Sequence, residues 1–218
     1  GDDTITGSSG ADTITGGAGN DALSGGLGDD TFSVVGDGGT DAVDGGEGFD
    51  TIRGSIYNDV FRVTSGLANW TNVEAIDGGA GNDTIAGTTA NDVINVAGIA
   101  ITSIENIDGG AGDDTIDTGE GPDLADGGAG KDIIYGRGSG SEVGGFDQLV
   151  GGSGNDLIIG GEGIDKLSSG SGDDIVFGDG ITNPGMGNTD PFTQGGDGND
   201  YIDGGASGDL LHGEEGDD

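Results

Sequence analysis

Aspartate recurs every nine residues along this chain, in a setting that suits cation binding. Residues 7–33 read GSSGADTIT, GGAGNDALS and GGLGDDTFS, so that Asp12, Asp21 and Asp30 each take the sixth place of a nine-residue unit. Glycine is concentrated at places one, two and four, and an apolar residue follows two places after each Asp. The first six residues therefore predict a glycine-rich turn, and the last three predict a short strand with one inward side chain.

A unit this short cannot bury its own apolar side chain, so it must stack on further copies of itself. The pattern predicts an all-β fold, a parallel β-roll or β-solenoid with two units per coil and a few irregular coils that carry loops. Units eighteen residues apart then share one side of the roll. This arrangement would set Asp12 above Asp30, and Asp3 above Asp21.

Stacked carboxylates repel each other unless a cation lies between them. Backbone carbonyls of the glycine turns would point into the same gap and complete an all-oxygen cage, which suits calcium better than magnesium. Zinc and copper lack their usual ligands, because the chain has no cysteine and its one histidine is His212. The spacing therefore predicts calcium between successive turns.

These units resemble the RTX, or haemolysin-type, calcium-binding nonapeptide repeat, whose pattern is G-G-x-G-x-D-x-U-x. The resemblance extends over nearly the whole chain. It implies that carbonyls at places one and three of one turn, and two and four of the next, join two place-six Asp side chains around each ion. One calcium ion would then lie between residues 7–12 and 25–30.

The implied ligands are of two kinds, place-six carboxylates and carbonyls of the turns. The carboxylates are Asp3, Asp12, Asp21, Asp30, Asp41, Asp50, Asp83, Asp92, Asp114, Asp123, Asp132, Asp147, Asp156, Asp165, Asp174, Asp200, Asp209 and Asp218. The carbonyl donors include Gly7, Ser9, Gly16, Gly17, Ala18, Gly19, Gly26, Gly28, Gly151, Ser153, Gly161, Gly163, Gly170 and Gly172. Asp59 also takes place six, but its turn departs from the pattern and is a doubtful ligand donor. Nineteen such aspartates in two columns leave at most about 17 gaps, so we predict multiple Ca²⁺ ions, at most about 17.

The period is interrupted at about 63–77, 96–108, 136–141 and 178–194. The first two interruptions resemble each other and place Glu74 and Glu105 at place six. We interpret them as degenerate coils that pack locally and hold no calcium; a dedicated binding loop anchored by Trp70 is the alternative. In the last interruption, the D-x-U of Asp190-Pro191-Phe192 predicts a further coil with a loop pushed out.

The composition includes 55 glycines, 30% apolar residues and a net charge of −37. Without the repeat, these values would be typical of an acidic disordered chain. Burial of one apolar side chain per unit falls short of the entropy lost on ordering the backbone. We therefore expect an expanded chain without calcium and a folded one with it. The charge excludes nucleic acid as a partner, and no apolar run is long enough for membrane insertion.

The leading prediction for function is a non-catalytic, extracellular calcium-binding module. The resemblance implies secretion by a type I system, followed by folding in the calcium outside the cell. One alternative is a structural repeat of a surface layer, filament or adhesin stalk that associates with copies of itself. Another is an accessory domain of a secreted protease, lipase or alginate epimerase. No catalytic residue is predicted, and we expect residues 1–218 to form a single segment of a longer protein.

Overall fold

The computed structural model describes residues 1–33, 39–119, 123–137, 146–161, 164–179, 192–197, 201–203 and 211–213. Within them the chain forms short β-strands and one 3-10 turn at Ser65–Leu67, with no α-helix. None of the helical structure described is long and apolar enough to cross a membrane. The strands are β1 (Thr4–Thr6), β2 (Thr13–Ile14), β3 (Ala22–Leu27), β4 (Thr31–Ser33), β5 (Ala42–Glu47), β6 (Thr51–Arg53), β7 (Val60–Arg62), β8 (Trp70–Thr71), β9 (Ala75–Asp77), β10 (Thr84–Ala86), β11 (Val93–Asn95), β12 (Ala100–Thr102), β13 (Asn106–Asp108), β14 (Thr115–Asp117), β15 (Leu124–Ala129), β16 (Ile133–Tyr135), β17 (Gln148–Ser153), β18 (Leu157–Gly161), β19 (Lys166–Ser171), β20 (Ile175–Asp179), β21 (Phe192–Asp197), β22 (Tyr201–Asp203) and β23 (Leu211–His212).

The chain divides into two compact units, one of Gly1–Gly87 with Gly98–Ile107 and one of Thr88–Ala97 with Asp108–Asp218. In the first, β1, β3, β5 and β8 form one sheet in that order, β2, β4, β6, β9 and β12 form a second, and β7 pairs with β10. In the second, β11, β14, β16, β18, β20 and β22 form one sheet, and β15, β17, β19, β21 and β23 pair in succession. The pairs are parallel, for example β3 with β5 and β17 with β19. The predicted all-β, parallel β-roll is confirmed.

The apolar residue at place eight of each unit builds the core. In the first unit, Ile52 lies between Phe32 and Ile76 in the ladder, and in the second, Ile134 pairs with Ile116. These side chains have no exposed surface. Each unit thus buries its single inward side chain against the coils before and after it, as a repeat of nine residues requires.

Coil length differs along the chain. Asp3 and Asp21 meet at a separation of 18 residues, as predicted, whereas Asp50 and Glu74, and likewise Asp59 and Asp83, meet at a separation of 24. Here β5, β6 and β7 precede the return of the chain to β8, so one coil contains three strands. The prediction of two units per coil is wrong in this region, because residues 54–59 begin a new ladder and do not stack on an earlier turn.

The interruption at 63–77 supplies core residues. Trp70 pairs with Val43 in the sheet and is 9% exposed, and Val63 and Leu67 are also buried. The interpretation of this stretch as local core packing is confirmed. In the second unit, Ala125 takes the inward place of its strand and is buried, while Leu124 beside it is 39% exposed.

Two details of register differ from the sequence prediction. The Gly136 N–H donates to the Ile159 carbonyl, which places Gly136 in an ordinary turn, while residues 138–141 of the predicted interruption lie outside the described residues. In β21, Thr193 pairs with the inward Leu167 and is fully buried. The assignment of Phe192 to place eight is therefore wrong by one residue, because Gly196 pairs with Gly170 without an inserted residue between them.

Candidate metal centre

The place-six carboxylates form ladders along the coils. In each ladder the backbone N–H of one place-six residue donates to the carboxylate at place six of the next coil. The Asp3 N–H donates to Oδ1 of Asp21 at 2.7 Å, and the Asp132 N–H donates to Oδ1 of Asp156 at 2.9 Å. The same bond joins Asp12 to Asp30, Asp21 to Asp41, Asp30 to Asp50, Asp59 to Asp83, Asp92 to Asp114, Asp114 to Asp132, Asp123 to Asp147, Asp147 to Asp165, and Asp156 to Asp174. The predicted stacking of these side chains is confirmed.

The second oxygen of many of these carboxylates is buried and has no hydrogen-bond donor. This holds for Oδ2 of Asp21, Asp30, Asp50, Asp83, Asp114, Asp123, Asp132, Asp147 and Asp156. A buried carboxylate oxygen without a donor or cation is costly, since desolvation of the charge is not repaid. The ladders therefore present a row of oxygens suited to a cation.

Backbone carbonyls complete the surroundings of these oxygens. A Cβ atom added to Gly127 would lie 2.6 Å from Oδ2 of Asp132 and 2.7 Å from the Gly151 carbonyl of the next coil. At Gly109 the corresponding distances are 2.7 Å to Oδ2 of Asp114 and 2.6 Å to the Gly127 carbonyl. Glycine at place one therefore leaves open a space between a carboxylate and a carbonyl.

Most described glycines at places two and four have positive φ, which explains their recurrence. The predicted donors Gly17, Gly19, Gly26, Gly28, Gly161, Gly170 and Gly172 all lie in this class. Gly7, Gly16 and Gly151 take place one, while Ser9, Ala18 and Ser153 take place three. In the part of the chain that the structure describes, no three acidic or histidine side chains converge on one point. A cation held here would therefore rely on backbone carbonyls for much of its coordination.

Burial raises the pKa of several ladder carboxyls. The pKa of Asp147 rises to about 8, and those of Asp114 and Asp156 rise to about 6. Desolvation is the main cause, and repulsion from the neighbouring carboxylates of the ladder adds to it, while the hydrogen bond from the preceding coil acts in the opposite direction. The pKa values of Asp41, Asp50, Asp83, Asp123 and Asp132 are also raised, chiefly by burial. Without a cation, burial therefore makes ionisation of these carboxyls less favourable than it is in water.

Glu74 and Glu105 replace Asp in the ladders, as the sequence predicted. The Asp50 N–H donates to Oε2 of Glu74 at 2.8 Å, and the Asp83 N–H donates to Oε2 of Glu105 at 2.7 Å. The longer side chains preserve the hydrogen bond of the ladder. That these two turns hold no calcium remains a prediction.

In three turns the place-six carboxylate accepts hydrogen bonds from residues of its own turn, a feature not predicted from the sequence. The Ser8 and Ser55 N–H groups donate to Oδ2 of Asp12 and Asp59, each at 2.5 Å, and the Thr88 N–H donates to Oδ2 of Asp92 at 2.7 Å. Hydroxyl groups of Ser8 and Thr88 donate to the same oxygens. Each turn precedes the first strand of a ladder, namely β2, β7 or β11. Serine or threonine at place two is the sequence signal that marks these starting turns.

A second ladder, also missed from sequence, runs through place five. The Thr40 N–H donates to Oδ1 of Asn20 at 2.8 Å, and the Asp113 N–H donates to Oδ1 of Asn91 at 2.9 Å. Here the side chain of the earlier coil accepts from the later coil, the reverse of the place-six ladder. Recurrent Asn or Asp directly before the place-six Asp was the available signal.

Some predicted ligands have no partner turn or fall outside the described residues. Above Asp41 lies Asn69, whose side-chain amide donates to the Asp41 carbonyl at 2.8 Å, so no carboxylate continues that ladder. Gly163, Asp200, Asp209 and Asp218 lie outside the residues that the structure describes.

The donor set fits calcium. Buried carboxylate oxygens and backbone carbonyls face common gaps, and nitrogen and sulfur ligands are absent from the described part of these gaps. Hard oxygen donors at variable geometry suit Ca²⁺, whereas Mg²⁺ requires a near-ideal octahedron and retains water.

Comparison with known proteins agrees with this geometry. The family model described as the RTX calcium-binding nonapeptide repeat (4 copies) matches residues 1–32, 34–66, 75–97, 108–139, 144–180 and 194–218. No curated protein matches the chain significantly over its sequence. The matched ranges include the turns that contribute the buried carboxylates.

Proposed function

The chain belongs to the family of RTX calcium-binding nonapeptide repeats, and from this membership we propose that it is a secreted module that folds when it binds calcium outside the cell and has no catalytic activity of its own. Calcium is the expected ligand of such a repeat module, and the ladders of place-six carboxylates are its expected sites. The observation that carries the proposal is the set of buried Oδ2 atoms without donors, such as those of Asp132 and Asp156.

Electrostatics explains why folding should depend on calcium. The net charge of −37 opposes compaction. Stacking adds to this repulsion, because each place-six carboxylate accepts a hydrogen bond from the backbone of the place-six residue in the neighbouring coil, as Asp156 does from Asp132. Divalent ions in the gaps would reduce this repulsion, and the buried oxygens would coordinate them. Binding free energy then becomes folding free energy, because the gaps exist only in the stacked state.

Secretion follows from the same argument. Extracellular calcium modules have dissociation constants of about 10⁻⁴–10⁻³ M, a range that leaves their sites empty at cytosolic calcium. A chain that stays expanded until it meets such calcium is suited to passage through a secretion channel. Secretion by a type I system and residence outside the cell or on its surface remain parts of the proposal.

The test is a calcium titration followed by far-ultraviolet circular dichroism, with magnesium as the control and sedimentation on the same samples. We expect a cooperative gain of β signal with calcium and little with magnesium. A spectrum already rich in β structure in chelator would contradict the proposal. Growth of mass with calcium would instead favour a self-associating structural repeat, and enzymatic activity of the segment would contradict a non-catalytic module.

A further inference from the structure

Two turns of the first compact unit are shorter than the repeat. They run from Asn72 to Glu74 and from Ser103 to Glu105, and we call them the short turns. The strand pairing assigns their first residue to place one, and the ladder hydrogen bond assigns their last residue to place six. One residue thus stands where an ordinary turn has four. The family model matches neither short turn, so the repeat pattern assigns no ion to them.

The first short turn places a carbonyl next to the glycine of the preceding turn. A Cβ atom added to Gly45 would meet the Asn72 carbonyl and would lie 2.5 Å from Oδ2 of Asp50. The regular gap beside Gly127 is bordered in the same way, by a place-six Oδ2 and the place-one carbonyl of the next coil. Asp50 is 0% exposed, and its Oδ2 has no hydrogen-bond donor. This buried oxygen is costly unless a cation binds it in the gap.

The second short turn repeats this arrangement. A Cβ atom added to Gly78 would meet the Ser103 carbonyl and would lie 2.6 Å from Oδ2 of Asp83. Asp83 is also 0% exposed, and its Oδ2 also has no donor. Asn72 and Ser103 both have positive φ, 52° and 53°, although neither is glycine. Two turns of different sequence thus present a carbonyl to the gap in the same backbone conformation.

A turn that needs no ion can satisfy its carboxylate itself, as the starting turns do. In one of them, the Ser55 N–H donates to Oδ2 of Asp59. The short turns supply no such donor to the place-six Oδ2 of the turn before them. The side-chain amide of Asn72 donates instead to Oδ1 of the exposed Asp44, at 2.8 Å. Local packing of the short turns therefore leaves the buried oxygen in each gap unsatisfied.

Glutamate at place six adds negative charge to both gaps. Oε2 of Glu74 accepts the Asp50 N–H at 2.8 Å, and Glu105 makes the equivalent bond in the second gap. Burial raises the pKa of Asp50 most, and the charges of Asp30 and Glu74 raise it further. A divalent ion would balance the two carboxylates of each gap. Because a short turn has fewer backbone carbonyls, water would complete the coordination, as Ca²⁺ allows.

We propose that the gap between residues 45–50 and 72–74 binds one calcium ion, and that the gap between residues 78–83 and 103–105 binds another. In each gap the ligands include the buried Oδ2, the carbonyl of the first residue of the short turn and the carboxylate of its glutamate. This inference rests on the proposed calcium-binding function and extends it to turns outside the family pattern. It is opposed to the sequence prediction that these two turns hold no calcium.

The test is anomalous scattering at long wavelength from crystals of the unaltered chain grown in calcium. We expect a peak in both gaps next to short turns, and a peak in the regular gap between Gly127 and Gly151, which serves as the internal reference. A filled reference gap together with an empty short-turn gap would overturn this inference for that gap and leave the proposed function standing. Ions in no gap would overturn the proposed function and this inference with it.

Equilibrium dialysis of two variants tests the part assigned to the glutamates. Glu74→Gln and Glu105→Gln keep an oxygen acceptor for the ladder hydrogen bond but remove the charge from the gap. At a calcium concentration that just fills the unaltered chain, each variant should bind one ion fewer per chain. A stoichiometry equal to that of the unaltered chain would overturn the role of glutamate as a ligand.

Asp44→Asn is the matched control for these variants. It removes an exposed charge next to the first short turn and keeps an oxygen acceptor for the Asn72 amide, so its stoichiometry should be unchanged. An ion lost from this variant as well would show that net charge, and not the glutamate ligand, governs binding, which would contradict the assignment.

Discussion

The two oxygens of the Asp156 carboxylate have different surroundings. Oδ1 accepts the Asp132 N–H at 2.9 Å, whereas Oδ2 is buried and has no hydrogen-bond donor. One oxygen therefore holds the ladder together in the absence of any ion, and the other is left for a cation. This division within one side chain separates the structural part of the repeat from its binding part.

Replacement of Asp156 by asparagine should have opposite effects with and without calcium. The variant keeps Oδ1 as an acceptor, but an uncharged NH₂ group replaces Oδ2, the oxygen that faces the gap. In calcium we expect about a tenfold weaker binding midpoint, equivalent to about 1.4 kcal/mol. In chelator the free energy of unfolding should rise, because the variant removes a buried charge whose pKa is raised to about 6. Urea unfolding in both conditions measures the two effects.

Asp108→Asn provides the matched control, since it removes the same charge from place nine, where the residue is partly exposed. We expect its calcium midpoint to stay within about twofold of the unaltered chain, because solvent and salt screen a partly exposed charge. An equal loss of affinity in both variants would show that net charge, and not the Asp156 oxygen, governs binding.

Acidification in chelator should favour the fold. The pKa of Asp147 is raised to about 8 in the folded state, and those of Asp114 and Asp156 to about 6, from an ordinary value of 3.8. Between 3.8 and these values the folded state binds protons that the unfolded state releases, so stability falls as pH rises through this window. Circular dichroism in chelator should therefore show more β signal at pH 4 than at pH 8, and a loss of β signal on acidification would contradict this account.

Calcium binding should release protons from the same carboxyls. Because the ions need ionised carboxylates, the calcium midpoint should move to higher concentration as pH falls from 8 to 5. Calorimetry in two buffers of different ionisation enthalpy would measure the number of protons released, which should increase as the pH approaches 6.

The place-five ladder is expected to stabilise the roll without binding ions. Asn91→Ala removes the acceptor of the Asp113 N–H and should lower the free energy of unfolding by about 1 kcal/mol, the usual net value of one hydrogen bond. Asn91→Asp retains an Oδ1 acceptor and should restore most of this loss. Calcium stoichiometry by equilibrium dialysis should be unchanged in both, and a lost ion would show that place five contributes to a site.

The repeat allowed the fold and the stacking of acids to be predicted because both depend on local spacing. Place six lies in the turn and place eight in the core. The stacking of Asp12 on Asp30 and the pairing of Ile14 with Phe32 therefore follow from the period alone. The coil of three strands could not be predicted from the period. A turn that stacks on an earlier turn and a turn that begins a new ladder have the same nine-residue spacing. What distinguishes residues 54–59 is Ser55, whose N–H satisfies Asp59 within the turn.

Register within the interruptions was harder to predict for a related reason. A D-x-U pattern marks the core place only when the turn before it is intact, and the buried Thr193 shows that a polar residue can take that place. The glycine of the following turn predicts the register better than the apolar residue does, because Gly196 pairs with Gly170 and thereby places Thr193 opposite Leu167.

The starting turns lead to the last prediction, that their stability is independent of calcium. Thr88 contributes both its N–H and its hydroxyl to Oδ2 of Asp92, each at 2.7 Å, and its Oγ1 also accepts the Ala90 N–H at 3.1 Å. Thr88→Ala removes the charge-assisted hydroxyl bond and should cost about 1–2 kcal/mol. We expect this loss to be similar in urea unfolding with calcium and, at pH 4, in chelator. Thr89→Ala, at the exposed neighbouring position, is the control and should cost much less. A loss confined to calcium would instead mean that Thr88 acts by positioning Asp92 for the ion, which would assign the starting turn to the binding sites.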